Sequence, residues 1–372
     1  MKSDLKSLNI LIKIITIIGA RPQFIKAAIL SKTFSESGKI NEVIIHTGQH
    51  FDFNMDKIFF NELKIPEPIY NLNINSLSHG IMTGRMLIQI EKILFDEKPD
   101  YVLVYGDTNS TLAGALAAKK LYINLIHVEA GLRSFNMRMP EEINRILTDR
   151  ISDLLFCPTD NAVQNLLNEG FQNFACTIIN SGDVMLDLVI YFQKTNKDLK
   201  NPYLSMKDFI LCTIHREENT QNSDRLISIL NGLNRLSREI EIILPLHPRT
   251  RKIINDLNLK INFKTIEPVG YFKMMNLLQK CKLVITDSGG LQKEAFFFKK
   301  MCIILRQETE WTELVTNGYN KLAGYSESAI YEAYKDINTH SINFEKSYYG
   351  NGNACKIILK SILEHHSIKK IS

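Results

Sequence analysis

The stretch IKIITIIGARPQFIK, residues 12–26, joins a continuous apolar run to a glycine turn and a helical pattern. Isoleucines dominate its first half, as in a strand that a parallel sheet buries on both faces. Gly19 ends the run, and Pro22 suits the first helical position, where its missing N–H costs no hydrogen bond. Arg21 and Lys26 flank bare helix amides, which favours an anion site, although a turn with solvated charges has the same pattern.

Short β-branched runs alternate with helical patterns over almost the whole chain, as in a doubly wound α/β protein. We predict strands at Ile12–Ile18, Glu42–His46, Tyr101–Tyr105, Leu125–Val128, Leu154–Cys157, Cys176–Ile179, Phe209–Thr213, Glu241–Pro245, Phe263–Ile266, Lys282–Ile285 and Cys302–Leu305. Helices are predicted at Gln23–Ser35, Ser78–Glu97, Ser110–Leu121, Asp224–Ser237, Tyr271–Gln279, Gly290–Lys299 and Ala354–His365, with another opening at Pro140.

The 372 residues and the two successive sets of βα units predict two Rossmann-like domains. A boundary is expected within residues 182–207, which gives a first domain of 1–183 and a second of 184–351. Two such domains facing each other form a cleft at the carboxyl ends of their strands, where substrates are expected.

Composition and charge narrow the function classes. A net charge of +5 without a basic block offers no nucleic-acid surface. The apolar run at residues 8–20 is interrupted by Lys13 and falls short of the roughly 18–20 residues that span a bilayer. Six separated cysteines without a CxxC pair indicate reduced core thiols. We therefore expect a cytoplasmic protein that binds neither membrane nor nucleic acid.

Carboxylates gather at predicted strand ends in the first half. Asp107 follows the third strand and Glu129 follows the fourth, while Glu141 and Glu142 lie in the first turn of the helix that Pro140 opens. A glutamate in a first turn is explained by the helix dipole alone. Together, however, clustered carboxylates raise one another's pKa values, which suits acid–base catalysis.

In the second half of the chain, histidines and arginines instead of carboxylates follow the predicted strands. His215 and Arg216 directly follow one strand, and two prolines present His247 and Arg249 after the next. Metal binding is the alternative for two histidines near acids, but neither HExxH nor paired Cys/His spacing occurs, so no metal is expected.

The string TDSGGLQKEA, residues 286–295, decides what the second domain holds. Its DSGG core is similar to the nucleophile region of trypsin-like proteases, which require an all-β chain and a histidine–aspartate pair. In a parallel α/β chain, Gly289 and Gly290 instead begin a helix whose amides can donate hydrogen bonds to a diphosphate. Ser288 adds a hydroxyl, and Glu294, one turn further, suits a ribose. Neither GxGxxG nor GxxxxGK[ST] occurs, so this is not a standard dinucleotide or P-loop site.

Nine motifs in this order resemble the non-hydrolysing UDP-N-acetylglucosamine 2-epimerase family. They are GARPQFIKAA, TGQH at 47–50, GDT with Asp107, HVEAGLRS, PEEINR, HRE at 215–217, LHPRT, DSGG with Glu294, and Arg306. The resemblance runs from about Ile12 to the last helix. It implies a glycosyltransferase-B-like fold with the last helix, 352–372, packing on the first domain. It also implies a homodimer without metal or nicotinamide.

The family's reaction assigns roles by motif position. Asp107, Glu129 and Glu141 would supply acid–base catalysis, and His215 would assist where sugar meets diphosphate. Gln49 and His50 mark the region where a second UDP-sugar activates some members. Substrate and UDP binding would fall to Arg21, Lys26, Arg145, Arg216, His247, Arg249, Tyr271, Ser288, Gly289, Gly290, Glu294 and Arg306.

Two departures from the family pattern indicate the branch. Members acting on UDP-GlcNAc read RxTTERPE and HRREN, whereas this chain reads RQETEWTE at 306–313 and HREEN at 215–219. The TEW variant resembles the branch that converts UDP-2,3-diacetamido-2,3-dideoxy-glucuronate to its manno epimer for O-antigen or capsule. UDP-GlcNAc is the alternative substrate. A retaining glycosyltransferase on the same fold, or a catalytically silent nucleotide-sugar binder, are the alternatives of other function.

Overall fold

The computed structural model describes residues 11–49, 66–195, 208–339 and 342–369, apart from the side chain of Arg249. The chain divides into two compact units, Met1–Ile190 with Tyr348–Ser372, and Tyr191–Ser347.

The described part of the first unit is a parallel sheet with helices on its faces. Its strands are β1 (Ile12–Ile18), β2 (Ile40–His46), β3 (Tyr70–Asn71), β4 (Tyr101–Tyr105), β5 (Asn124–Val128), β6 (Leu154–Cys157) and β7 (Thr177–Asn180). Its helices are α1 (Arg21–Ser37), α2 (His79–Glu97), α3 (Asn109–Lys120), α4 (Pro140–Ile151), α5 (Asp160–Asn168) and α6 (Val184–Thr195), the last crossing into the second unit.

The second unit repeats this plan over its described residues. Its strands are β8 (Phe209–Thr213), β9 (Glu241–Pro245), β10 (Lys264–Ile266), β11 (Leu283–Thr286), β12 (Cys302–Ile304) and β13 (Asn320–Leu322). Its helices are α7 (Glu217–Thr220), α8 (Ser223–Leu236), α9 (Pro248–Asp256), α10 (Tyr271–Lys280), α11 (Gly289–Phe297), α12 (Thr312–Thr316) and α13 (Glu327–Thr339). The final helix, α14 (Ala354–Lys369), belongs to the first unit.

Both sheets follow the Rossmann strand order. The order is β3-β2-β1-β4-β5-β6-β7 in the first unit and β10-β9-β8-β11-β12-β13 in the second. All strands are parallel, but successive strands are added to one side of β1 and then, from β4 onward, to the other; β8 and β11 repeat this in the second sheet. Ligands of such folds bind outside the carboxyl ends of the strands at these switch points. The predicted doubly wound α/β class is confirmed. The edge strands β3 and β13, two and three residues long, were not predicted.

Side-chain burial follows from the parallel sheets. Strand residues such as Ile17 and Val104 are fully buried and pack with Met86 and Ile90 of α2. Helix α14 packs against α1, and Asp187 caps its start by accepting hydrogen bonds from the amides of Ala354 and Cys355 at 3.1 and 2.9 Å. All six cysteines are free thiols, as expected. None of the helices within the described ranges could cross a membrane.

Candidate active site

The switch point of the first unit is held by one buried amide. The Oε1 atom of Gln23 accepts hydrogen bonds from the amides of Gly19 and Ala20 at 2.8 and 3.1 Å. Its Nε2 donates to the Tyr105 carbonyl and to Thr111 Oγ1, both at 2.9 Å. Gln23 thereby joins the start of α1 to the end of β4. Helix α1 begins at Arg21, so the predicted first position of Pro22 is wrong by one residue.

Lys26 and Glu129 form an ion pair at this end of the sheet. Lys26 comes from α1 and Glu129 directly follows β5, and their side chains are only 7% and 9% exposed. Both lie against Gly106, where a Cβ would be 3.4 Å from the Lys26 Nζ and the Glu129 Oε1. The carboxylate is therefore held beside the Lys26 cation in a place that water reaches little.

A second carboxylate, Asp107, is paired with Arg145 of α4. The same guanidinium reaches Glu142 at 2.5 Å, and Glu142 also accepts from the amides of Ser134 and Phe135, each at 2.9 Å. Burial alone would raise the pKa of Glu142, but these donors and the arginine outweigh it, so its pKa lies below the usual range. The expectation that clustered carboxylates raise one another's pKa values is wrong for Glu142, because Arg145 lies between it and Asp107.

Three other predicted residues of this unit have different surroundings. Glu141 lies half-buried in the first turn of α4, and in the described ranges its side chain makes no hydrogen bond or ion pair. Arg21 is half-buried at the start of α1. Gln49 accepts hydrogen bonds from the amide and hydroxyl of Ser110, at 2.9 and 2.7 Å, at the start of α3. His50 lies outside the described residues.

Asp287 organises the switch point of the second unit. Its fully buried carboxylate accepts hydrogen bonds from the amides of His215 and Arg216, each at 3.0 Å, and from Asn219 Nδ2 at 3.2 Å. The His215 Nδ1 lies 3.2 Å from Asp287 Oδ1, while half of the histidine side chain remains exposed. Asp287 thus orients His215 towards solvent. Asp287 was not among the predicted site residues, although its position directly after a strand and before GG was a usable signal.

Helix α11 begins with the two predicted glycines. Ser288 is its N-cap, and its Oγ accepts a hydrogen bond from the Leu291 amide at 3.4 Å. A Cβ added at Gly290 would meet no described atom within 4 Å. The described structure therefore leaves space beside the first turn of this helix, where an anion could reach its amides. The Ser288 hydroxyl, expected to serve a phosphate, has a lone pair engaged in capping.

Arginines surround this helix start. Arg306 is 4% exposed and contacts Glu310 at 3.0 and 3.2 Å, and Arg216 lies 4.0 Å from the same carboxylate. Burial would lower the pKa of Arg306, but Glu310 and Glu218 outweigh it and raise that pKa. The added Cβ of Gly289 would lie 3.8 Å from both Arg216 Nη2 and Glu310 Oε2, so Arg216 and the carboxylate that Arg306 contacts both adjoin the helix start.

The TEW segment, residues 309–311, is hydrogen-bonded to α11. The indole Nε1 of Trp311 donates to the Gly289 carbonyl at 2.9 Å, and Thr309 Oγ1 donates to Gln292 Oε1 at 2.6 Å. The ammonium of Lys293 lies 4.5 Å from the Trp311 ring centroid, a cation–π contact. The sequence pattern identified this segment as a branch marker, but its contact with the helix start follows only from the structure.

The remaining predicted residues divide into two groups. Tyr271 donates its hydroxyl to Glu294 Oε1 at 3.0 Å in the interior, so that carboxylate is held one turn past the helix start. His247 is exposed just before α9, and the side chain of Arg249 lies outside the described part of the structure. Among the described residues, no group of three or more His, Cys, Asp or Glu side chains is arranged to hold a metal.

Comparison with known proteins gives one consistent result. The family model described as UDP-N-acetylglucosamine 2-epimerase matches residues 32–363. A UDP-2,3-diacetamido-2,3-dideoxy-D-glucuronate 2-epimerase of Pseudomonas aeruginosa is 55% identical over 344 residues, covering 92% of this chain and 97% of that protein.

Solved structures agree with that match. The UDP-GlcNAc 2-epimerase of Methanocaldococcus jannaschii, crystallised with UDP-GlcNAc and UDP, is 44% identical with a TM-score of 0.88, over 95% of this chain and 100% of that one. A Rickettsia africae glycosyltransferase, 16% identical with a TM-score of 0.52 over 88% of both chains, shares the fold alone. The chain belongs to the UDP-N-acetylglucosamine 2-epimerase family.

Proposed function

We propose that this enzyme inverts C2 of UDP-2,3-diacetamido-2,3-dideoxy-D-glucuronate and yields the manno epimer, a precursor of O-antigen or capsule. Two observations support the substrate: the TEW segment fastened over α11 and the 55% identity to the Pseudomonas aeruginosa epimerase. The epimerase chemistry rests on one observation above all. At a single switch point, the carboxylates of Asp107 and Glu129 are each held by a cation.

The reaction breaks the C2–H and C1–O bonds of the sugar. A carboxylate of the first unit takes the C2 proton while UDP leaves C1 with the bonding electron pair, so that a C1=C2 double bond forms. An acid on the opposite face then returns a proton to C2, and UDP adds back to C1. Asp107, Glu129 and Glu141 are the candidate base and acid. Glu141, with no described partner of its own, is the carboxylate left available to the substrate.

The second unit supplies the binding of UDP. The amides of Gly289 and Gly290, with Arg216 and Arg306, stabilise the diphosphate. They do so most of all when UDP leaves with the bonding electron pair and gains one more negative charge. Glu294, oriented by Tyr271, accepts hydrogen bonds from the ribose hydroxyls. His215, oriented by Asp287, is exposed beside this anion site and assists at the sugar–diphosphate junction.

UDP-GlcNAc is the second candidate substrate, and the Methanocaldococcus jannaschii structure with that ligand favours it. A comparison of kcat/KM for the two UDP-sugars separates these candidates. Purified enzyme is given each UDP-sugar separately, and kcat/KM for the 2-epimer is measured by chromatography. We expect turnover of the diacetamido uronate to dominate. A higher kcat/KM for UDP-GlcNAc would reverse the substrate assignment, and sugar transfer without epimer formation would reject the epimerase activity.

We also propose a homodimer built on α2. Ile81, Ile88 and Phe95 recur every seven residues on this helix and are 52%, 69% and 68% exposed. Antiparallel pairing of two copies about Ile88 sets Ile81 opposite Phe95 and Arg85 opposite Glu91, which is the self-complementarity that a two-fold interface requires. Light scattering should give twice 42.7 kDa for the native chain and 42.7 kDa for Ile88→Glu. A dimeric Ile88→Glu variant would exclude this face, and Leu167→Glu on α5 is the matched surface control.

A further inference from the structure

Glu129 adopts a backbone conformation that a glutamate does not choose by itself. Its φ is +72°, in the left-handed region, and no glycine occupies the position. Such a conformation costs about 1–2 kcal/mol and persists only where neighbouring contacts impose it. The amides of Glu129 and Ala130 both donate to the Phe156 carbonyl at 3.0 Å, which fixes one side of the turn. The other contacts come from α4.

Asp149 of α4 contacts the chain on both sides of Glu129. Its Oδ1 lies 2.7 Å from Nδ1 of His127, two residues before Glu129. Its Oδ2 accepts from the Gly131 amide at 3.1 Å and from Arg133 Nη1 at 2.7 Å, two and four residues after it. Asp149 and His127 are completely buried and Arg133 is 2% exposed. One carboxylate therefore spans the strained residue.

The same network reaches the neighbouring strand end. The Nε2 of His127 lies 2.7 Å from the Gly106 carbonyl, which can only accept, so this nitrogen donates. Gly106 is the turn residue, at φ +62°, that precedes Asp107 and lies against the Lys26–Glu129 pair. His127 thus ties the turn carrying Asp107 to the turn carrying Glu129, and Asp149 holds His127 in the orientation that makes the tie.

The outer end of the network is anchored as well. Arg133 forms a paired contact with Glu169, at 2.6 Å from Nε and 2.7 Å from Nη2, besides its bond to Asp149. Burial would raise the pKa of Asp149, but His127 and Arg133 outweigh it and lower that pKa. Both oxygens of the carboxylate are engaged, one by His127 and the other by Gly131 and Arg133, which leaves it no capacity to touch a substrate.

We propose that Asp149 is a positioning residue that, through His127, Gly131 and Arg133, holds Glu129 in its left-handed conformation and fixes the Gly106–Asp107 turn for catalysis. The proposal rests on the epimerase function proposed above. It assigns to Asp149 no contact with substrate. Its effect is transmitted entirely through the geometry of two carboxylates.

The test compares Asp149→Asn with Asp153→Asn. Asp153 lies near Asp149 in sequence and is partly buried. It pairs with Lys119 at 2.9 Å and accepts a hydrogen bond from the Leu125 amide at 2.7 Å. These contacts lie away from the strand ends that carry the site. Both variants should lose thermal stability. Asp149→Asn should in addition lose about 10²-fold in kcat, the scale of a misplaced catalytic group, with KM and the Kd for UDP unchanged. Asp153→Asn should keep its kcat.

His127→Asn decides the matter if Asp149→Asn fails to fold. It removes the contacts with Gly106 and Asp149 but leaves Asp149 bound to Gly131 and Arg133. The expected result is again a lowered kcat with intact UDP binding, and His365→Asn, whose partner Tyr101 lies 2.8 Å away on the same sheet, is the matched histidine control. Native kcat in a folded Asp149→Asn or His127→Asn enzyme would overturn the proposal. Absence of epimerisation and of C2 exchange in the native enzyme would instead reject the proposed function, so the two failures are distinguishable.

Discussion

The ammonium group of Lys26 and the carboxylate of Glu129 form an ion pair with both side chains at least nine-tenths buried. Two charges brought so far out of water each lose favourable hydration, which their mutual attraction must offset. Such a pair contributes little net stability compared with apolar residues of the same size. Its position at the switch point of a Rossmann sheet therefore points to chemistry rather than to folding.

Glu129→Gln should abolish most of the epimerase activity while leaving the fold intact. An amide of the same shape still accepts a hydrogen bond from Lys26 but takes no proton, and loss of a general base costs about 10²–10⁴-fold in rate. Steady-state kinetics and circular dichroism measure the two effects. Glu97→Gln is the matched control, since Glu97 pairs with Lys13 at 2.6 Å, beyond the amino end of β4. Near-native activity of Glu129→Gln would remove Glu129 from catalysis.

Lys26→Met should destabilise the chain more than the double variant Lys26→Met with Glu129→Gln. Removing the cation alone leaves a buried carboxylate without its partner, which costs about 3–5 kcal/mol in free energy of unfolding. The double variant removes both charges and should recover most of that loss while remaining inactive. Urea unfolding supplies the comparison. Equal stability of the single and double variants would mean that the pair is solvated in solution.

Tyr271→Phe should weaken UDP binding and leave kcat nearly unchanged. The lost hydroxyl donates to Glu294 at 3.0 Å, and without it the carboxylate is no longer held towards a ribose. We expect Kd for UDP to rise about tenfold, or about 1.4 kcal/mol, by isothermal titration calorimetry. Tyr319→Phe is the control, because Tyr319 is also buried and its hydroxyl donates to the Asn343 carbonyl at 3.0 Å. An unchanged Kd for Tyr271→Phe would show that the orientation of Glu294 by Tyr271 does not contribute to nucleotide binding.

Glu42→Gln should change how stability depends on pH. Burial raises the pKa of Glu42 above 4.5, more than its hydrogen bond from Thr16 and the nearby Ser31 hydroxyl lower it. Stability linked to its protonated form is therefore fully present below pH 4.5 and is lost as pH rises through the folded-state pKa. Glutamine does not ionise, so in urea unfolding the free energy of unfolding of the native chain should fall relative to that of the variant as pH rises above 4.5. A constant difference across that range would contradict the assignment.

The sequence predicts the fold well because parallel sheets leave a strong pattern. The runs Ile12–Ile18 and Tyr101–Tyr105 match their strands to the residue, since apolar residues buried on both faces admit few alternatives. Strands β3 and β13 escaped prediction because two or three residues carry no periodicity.

The site was only partly predictable for a different reason. Residues directly after strands, such as Asp107 and His215, are identified by chain position. The partners that hold them come from elsewhere in the sequence: Glu129 pairs with Lys26, 103 positions away, and Asp287 meets His215 at a separation of 72. Nothing local in the sequence marks Glu129 as left-handed, because that conformation results from the contacts of Asp149 and Phe156.

The most direct test of C2 inversion by elimination is to follow the sugar C2 proton during turnover in deuterated water. The native enzyme is incubated with UDP-2,3-diacetamido-2,3-dideoxy-D-glucuronate, and NMR records the H2 signal, with Glu129→Gln as the control that should remain silent. We predict that the manno product appears with deuterium at C2 and that the remaining substrate gradually loses its H2 signal. A manno product that fully retains protium at C2, or no product and no exchange in an enzyme that binds UDP, would contradict the account.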